Sequence, residues 1–241
     1  MSTFYGLIIS RDLYNPESEA GKNRLRFLIN ALKPYRHLFG SKALDIGCGA
    51  GTSTFALEEL GLSVVGIDRD KLFIEKARKI AEKRRSRAKF FVADARTMSV
   101  RDVFDSVFML GDVIIHFSLT EFIRMIQNIR RATRRKFVLV LEYSDFVESL
   151  LRKEEPIPIP TELRGKVYYS YNADEGCLKV IVITREIGPD KYEAEEVKMY
   201  IWSPWVLEYI LLTSGFTLIS RERYRNGVFI DIYKEVSGEI G

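Results

Sequence analysis

Short, nearly unbroken apolar runs alternate along the chain with longer segments in which apolar residues recur every three or four positions. After the breaker Gly21, Leu25, Leu28, Ile29, Leu32 and Tyr35 follow helical spacing, and Pro34 and Gly40 crowd the end of that segment. Lys42 to Ile46 is a compact apolar run, Thr52 to Leu60 reads as a helix closed by Gly61, and Ser63 to Ile67 is a second apolar run. Lys71 to Lys83 carries Leu72, Ile74, Ala77 and Ile80 at helical steps, and Lys89 to Ala93 and Asp105 to Leu110 read as strands. Thr120 to Ala132 is a helix bearing Phe122, Ile123, Ile126 and Ile129, and Phe137 to Glu142 is a fifth strand. Strands that are apolar on both faces, spaced by helices, predict a parallel sheet covered on both sides.

Beyond Tyr143 the alternation stops. A helical piece from Phe146 to Leu151 leads into Pro156, Pro158 and Pro160, which impose extended backbone and mark a connection. Lys166 to Tyr171, Leu178 to Glu186 and Tyr192 to Trp202 then read as strands, separated by Ala173 to Gly176 and by Gly188-Pro189-Asp190. Turns this short predict an antiparallel meander. Ser203-Pro204 opens a last helix as cap and first helical residue, Gly215 ends it, and Phe216 to Ser220 with Val228 to Tyr233 forms a closing hairpin through Asn226-Gly227. The expected organisation is one sheet domain from residues 1–145 and 203–241, with residues 152–202 as an inserted subdomain, an acceptor lid or a dimer arm.

Composition narrows the class. A length of 241 residues, 46% hydrophobic and 29% charged, suits one domain with an addition and excludes a disordered or low-complexity chain. Every apolar run is broken by charge well short of the roughly 18 residues that span a bilayer, so no membrane association is expected. The apolar stretch Phe4 to Ile9 runs straight into Arg11 and Asp12, without a basic leader or small-residue cleavage site, which argues against export. Cys48 and Cys177 stand far apart and form no CxxC pair, in keeping with a reducing, cytoplasmic setting. With only His37 and His116 beside them a zinc cluster is poorly supplied and no metal site is expected, a carboxylate magnesium site staying formally open.

The chemistry starts at Asp45-Ile46-Gly47-Cys48-Gly49-Ala50-Gly51, where a strand turns through glycines into a helix. Glycine lets the backbone turn sharply and lets a ligand lie across the strand edge. The spacing is GxGxG, and Asp45 would repel a pyrophosphate, so a nicotinamide cofactor is disfavoured and a cationic ligand favoured. Leu44-Asp45-Ile46-Gly47-Cys48-Gly49-Ala50-Gly51 resembles motif I of the class I S-adenosylmethionine-dependent methyltransferases. Asp68, ending Val65-Gly66-Ile67-Asp68, and Asp94, in Phe91-Val92-Ala93-Asp94-Ala95, stand at the next two strand ends, as in that family. The resemblance implies an α/β fold, a doubly wound seven-stranded Rossmann-like sheet with the β meander inserted. It also implies S-adenosylmethionine as cofactor and S-adenosylhomocysteine as product. The cofactor site it implies comprises Asp45, Gly47, Cys48, Gly49, Gly51, Asp68, Arg69, Asp94, Ala95 and Leu110, with Asp68 on the ribose hydroxyls and Asp94 reading the adenine. By the same analogy, Arg24 or Arg26 pairs with the cofactor carboxylate.

The acceptor side is read from the segment after the fourth strand. His116 sits there as a base able to work near neutrality, with packing or capping as the alternative, and Tyr14, Glu142 and Tyr143 are expected to line the acceptor pocket. Leu110-Gly111-Asp112-Val113 lacks the Pro-Pro-aromatic signature of amino-methylating enzymes for adenine and glutamine, and no cysteine stands near for carbon methylation of cytosine. A double-glutamate hairpin of the protein-arginine type is also missing around Glu142. A small-molecule acceptor, methylated at nitrogen or oxygen, gains by this elimination. The net charge of +4 collects at Arg78 to Arg87 and Arg130 to Lys136, helix ends expected at the edge away from the site, which makes nucleic acid the minor reading. The meander is expected to overhang the strand ends, with Tyr168, Tyr169, Tyr171, Tyr192, Tyr200 and Trp202 packing the sheet or caging an acceptor, and to offer a homodimer contact. Its layout is similar to glycine- and sarcosine-type N-methyltransferases. An RNA or protein methyltransferase and a non-catalytic cofactor-binding subunit stay open as alternatives.

Overall fold

The first helix, α1 (Glu19–Leu32), opens at Ser18, whose hydroxyl accepts the Gly21 amide at 2.9 Å. Gly21 is thus inside the helix and not a breaker before it. The Asn15 carbonyl oxygen lies 1.8 Å from where a Cβ would stand, so only glycine admits the incoming chain. Helical backbone continues past Pro34 as a 3-10 segment, Lys33–Leu38. The computed structural model describes residues 15–98, 103–133, 136–145, 147–148, 167–188, 191–224 and 227–236.

The alternating half follows as β1 (Lys42–Ile46), α2 (Thr52–Glu59), β2 (Ser63–Asp68), α3 (Lys71–Arg84), β3 (Lys89–Val92), β4 (Ser106–Met109), α4 (Leu119–Thr133) and β5 (Val138–Ser144). The insert supplies β6 (Val167–Asn172), β7 (Cys177–Gly188) and β8 (Lys191–Tyr200), and α5 (Pro204–Thr213), β9 (Phe216–Arg223) and β10 (Val228–Glu235) complete the chain. The seven-stranded sheet has the order β3-β2-β1-β4-β5-β10-β9. Its first five strands are parallel, and β10 and β9 return antiparallel. The chain reverses its direction of winding between β1 and β4, and the crevice beyond the carboxyl ends of those strands is where such sheets take ligands.

Two apolar layers cover the sheet. Leu28 and Leu32 of α1, Phe55 and Leu57 of α2, and Ile74 and Ile80 of α3 fill one side. Phe122 and Ile126 of α4 and Leu207 and Leu211 of α5 fill the other. The insert forms its own antiparallel sheet, β6-β7-β8, yet Leu178, Val180, Val182, Val197 and Met199 are buried in that second layer. Trp202 fastens it: the indole N–H donates to the Phe117 carbonyl at 3.2 Å and the ring meets Phe122 edge-on at 5.1 Å.

The expected piece from Phe146 to Leu151, apart from Val147 and Glu148, lies outside the described residues, as do Pro156, Pro158, Pro160, Lys166, Pro189, Asp190 and Asn226. No helix among the described residues is long and apolar enough to cross a membrane. No group of three or more His, Cys, Asp or Glu among them is placed to hold a metal ion.

Candidate cofactor and acceptor site

The glycine turn is sewn to the end of β2: the amides of Gly47 and Cys48 both donate to the Ile67 carbonyl, at 2.8 and 3.0 Å. Its three glycines all adopt left-handed backbone, with φ of 71°, 53° and 99°, but for different reasons. A Cβ on Gly47 would stand 2.6 Å from a Val113 methyl, and one on Gly51 would stand 2.8 Å from the Phe55 ring. At Gly49 nothing lies within 4 Å, so the backbone is bare towards the cavity. Gly47 and Gly49 line that cavity, whereas Cys48 and Gly51 do not. The Cys48 sulfur is buried 3.0 Å from where a Gly66 Cβ would stand, and burial pushes its thiol well above the ordinary range. Cys48 and Gly51 shape the turn from beneath.

Asp45 also lies beneath and does not line the cavity. It is fully buried, and one oxygen accepts the hydroxyls of Ser53 at 2.7 Å and Thr54 at 2.6 Å, pinning the first turn of α2 to β1. The other oxygen has no hydrogen-bond partner. Burial raises the carboxyl from 3.8 to about 6. The native state is therefore penalised as pH climbs from the ordinary value through 6. Asp45→Asn keeps an acceptor for both hydroxyls, and we expect it to stabilise the fold by on the order of 2–3 kcal/mol above pH 6 and not at all below pH 4. Urea unfolding at the two extremes reads this directly, and a pH-independent difference would refute it.

The cavity encloses about 870 Å³, within the range of roughly 300–1,000 Å³ typical of small-molecule sites. Asp68, Arg69, Asp94, Ala95 and Leu110 all line it, so five expected residues from three strand ends share one wall with Gly47 and Gly49. The Asp68 carboxylate accepts the amides of Gly49 at 3.0 Å and Asp70 at 2.9 Å, and burial raises it above the usual range. Asp94 is held otherwise. Arg96 forks over both its oxygens, holds it below the usual range, and reaches on to Glu121 at 3.3 Å.

Residues fit a nucleoside carrying a cationic sulfur on two counts: bare backbone at Gly49, and a carboxylate at Asp68 with lone pairs beyond its two amide bonds.

At the β4 end, Gly111, Val113, His116 and Phe117 continue the wall. Burial, with the charges of Arg69 and Arg96 nearby, lowers His116 to about 4. The imidazole is thus neutral throughout the physiological range. Glu142 and Tyr143 do not line this cavity. Glu142 faces α1, where Arg24 takes both its oxygens, so Arg24 is committed to a protein partner. Arg26 is exposed and bonds Asn23 at 2.7 Å and Glu19 at 3.3 Å. Tyr143 points to the opposite side of β5, fully buried, its hydroxyl donating to Asp231 at 2.8 Å and its ring stacked on Phe229. Tyr14 lies outside the described residues.

Glu196, Val197, Lys198 and Tyr200 of β8 close the rim. Tyr168 and Tyr171 are exposed and Trp202 is in the core, so of the expected aromatic cage only Tyr200 reaches the cavity among the described side chains. The basic runs sit at the carboxyl ends of α3 and α4, beside the starts of β3 and β5 and so opposite the cavity edge. Several of their members are engaged in packing: Arg78 on the Phe90 carbonyl, Arg84 on Glu59, Arg130 on Glu235. Arg134 and Arg135 lie outside the described residues.

Sequence reasoning missed Ser53, Thr54, Arg96, Glu121 and the β8 rim. Opposite charges two apart at Asp94 and Arg96 were a readable signal. The hydroxyl pair eight and nine residues after Asp45 was another.

Residues 43–136 match the model of a methyltransferase domain. The tRNA U34 carboxymethyltransferase of Idiomarina loihiensis is 32% identical over 99 residues, which are 39% of this chain and 31% of that protein. The ubiquinone biosynthesis O-methyltransferase of Pelagibacter ubique is 33% identical over 90 residues, 37% of this chain and 36% of that protein. The chain thus spans about a third of the length of these curated relatives. Among solved structures, the PH0226 protein of Pyrococcus horikoshii OT3 superposes with a TM-score of 0.75 at 26% identity, over 98% of this chain and 100% of the other. Over residues 43–136, from β1 to α4, the chain thus resembles a methyltransferase domain, and its strand order and glycine turn belong to a Rossmann-like fold.

Proposed function

We propose that the protein transfers a methyl group from S-adenosylmethionine to a nitrogen or oxygen of a small-molecule acceptor. The observation that carries this reading is the convergence of Gly49, Asp68, Asp94 and Leu110 on one cavity whose far rim is built by the insert. When bound, the cofactor supplies an electrophilic methyl on sulfur and leaves as S-adenosylhomocysteine. The chain's own work is to bind and orient. Asp68 offers a double acceptor to a vicinal diol, the bare Gly49 backbone admits close approach, and Ala95 and Leu110 flank the ring system. His116 contributes a neutral imidazole that accepts a hydrogen bond from the acceptor. Its low proton affinity suits orientation more than strong general-base catalysis.

Incubation with S-adenosylmethionine and fractionated cell metabolites is expected to release S-adenosylhomocysteine with one fraction. Release with none, alongside measurable cofactor affinity, would favour a cofactor-binding subunit. Once an acceptor is in hand, His116→Asn is expected to leave the pH–rate profile unshifted between pH 6 and 8. A lost ionisation in that range would instead make His116 a titrating base.

The kinship with a tRNA enzyme gives an RNA acceptor its best support. The position and pairing of the basic runs favour a small molecule, and salt-dependent RNA binding would reverse that preference. Two free, buried cysteines agree with a cytoplasmic setting. Exposed Tyr168 and Tyr171 on β6 give a homodimer contact its support.

A further inference from the structure

Arg24 binds a protein carboxylate where a cofactor carboxylate was expected, and the bonds beyond it lead back to the cavity. Its guanidinium forks across Glu142, at 2.5 Å through Nη1 and closer through Nη2, in a pair whose side chains are only 13% and 4% exposed. Glu142 then grips the β4 exit twice. Its carboxylate accepts the Gly111 amide at 2.8 Å, and its carbonyl accepts the Asp112 amide at 3.3 Å. Two residues along β5, Ser144 donates to the Asp112 carboxylate from its amide at 2.5 Å and from its hydroxyl at 3.0 Å.

This clamp holds an unusual turn. Gly111 and Asp112 have φ of 84° and 59°, two successive left-handed residues of which the second is not glycine. The turn sends the chain into the 3-10 segment Val113–His116, and Leu110, Gly111, Val113 and His116 all line the cavity. Two acidic side chains, Glu142 and Asp112, are packed against this one turn: burial and then the charge of Glu142 raise the Asp112 carboxyl to about 6, while Arg24 pairs with Glu142 directly. The cavity wall therefore depends on Arg24 and Glu142, neither of which lines it.

Resting on the cofactor reading above, we propose that Arg24 and Glu142 are positioning residues for the cofactor, acting through the Gly111 amide on the Leu110–Val113 wall and not by contact with the cofactor. Calorimetry with S-adenosylhomocysteine and hydrogen exchange at the Gly111 amide test this in Arg24→Ala, Glu142→Ala, their combination, and the discharged pair Arg24→Met with Glu142→Gln. Each single alanine is expected to weaken binding about tenfold and to lower Gly111 protection, and the combination is expected to be no weaker than the worse single. The discharged pair keeps an acceptor for Gly111 and is expected to retain protection and to bind within about threefold of the parent.

Unchanged affinity together with lost Gly111 protection overturns the proposal. So does a larger loss for Arg24→Ala than for Glu142→Ala with additive combination, which would put Arg24 on the cofactor itself. Should the alanine variants not fold, the discharged pair decides alone: lost protection or lost affinity overturns the proposal. If the parent protein binds no S-adenosylhomocysteine, the cofactor reading fails, and Gly111 exchange still reports whether the clamp exists.

Discussion

Asp68→Ala is expected to weaken S-adenosylhomocysteine binding by about a hundredfold or more, the largest loss of any single cofactor-site change. A carboxylate accepting two hydroxyls makes two charge-assisted bonds, each worth about 1.5–3 kcal/mol when lost. Asp68 also ties the Gly49 amide to the Asp70 amide, so its removal loosens the bare turn and the start of α3 together. Asp68→Asn separates the two contributions, since its one carbonyl oxygen can keep an amide bond while the charge is gone. The asparagine variant, which keeps one of the two amide bonds, is expected to melt between Asp68→Ala and the parent and still bind poorly. Calorimetry beside thermal melts reads both quantities, and unchanged affinity in Asp68→Ala would remove the ribose assignment.

Asp231→Ala is expected to cost about 3–5 kcal/mol of stability without altering cofactor affinity in the folded fraction. Asp231 is fully buried on β10, bonded by Arg221 through Nε and Nη2 at 2.9 Å each, by Tyr143 at 2.8 Å and by Tyr233 at 3.0 Å. Its loss strands a guanidinium and two phenols. In the parent, burial and then the charge of Asp231 hold both phenols far above their usual range. Arg221 also reaches Glu208 and the Pro204 carbonyl, so the network ties α5 to the sheet. None of these residues lines the cavity. Urea unfolding measures the loss, and a change under about 1 kcal/mol would show the network to be replaceable by water.

The part of the molecule that could be read from the sequence is set by a physical division. Asp68, Asp94 and the glycine turn were legible because parallel strands end together and an acid stands at the end of β2 and just past the end of β3. That Glu142 and Tyr143 stand away from this cavity could not be read, because β5 is buried on both faces, which erases the alternation that would say which neighbour points where. One faces α1 and the other α5. The Arg24–Glu142 bond joins residues 118 positions apart, and no local pattern encodes a partner at that distance. Gly21 misled for the opposite reason: its local signal is strong, but the Asn15 carbonyl packed against it made it a helix residue.

The shared core of the insert limits how this scaffold can open and diverge. Swinging the insert away as a hinged flap would wet Leu178, Val180, Val182, Val197, Met199 and Trp202. At about 1.5–3 kcal/mol per large side chain, that approaches the whole stability of a domain of about 5–15 kcal/mol. Traffic into the cavity therefore runs past a fixed sill. On the function proposed above, acceptor range can drift by exchanging Glu196, Lys198 and Tyr200 on that sill, whereas grafting the insert from a relative as a cassette would require recutting the core beneath it.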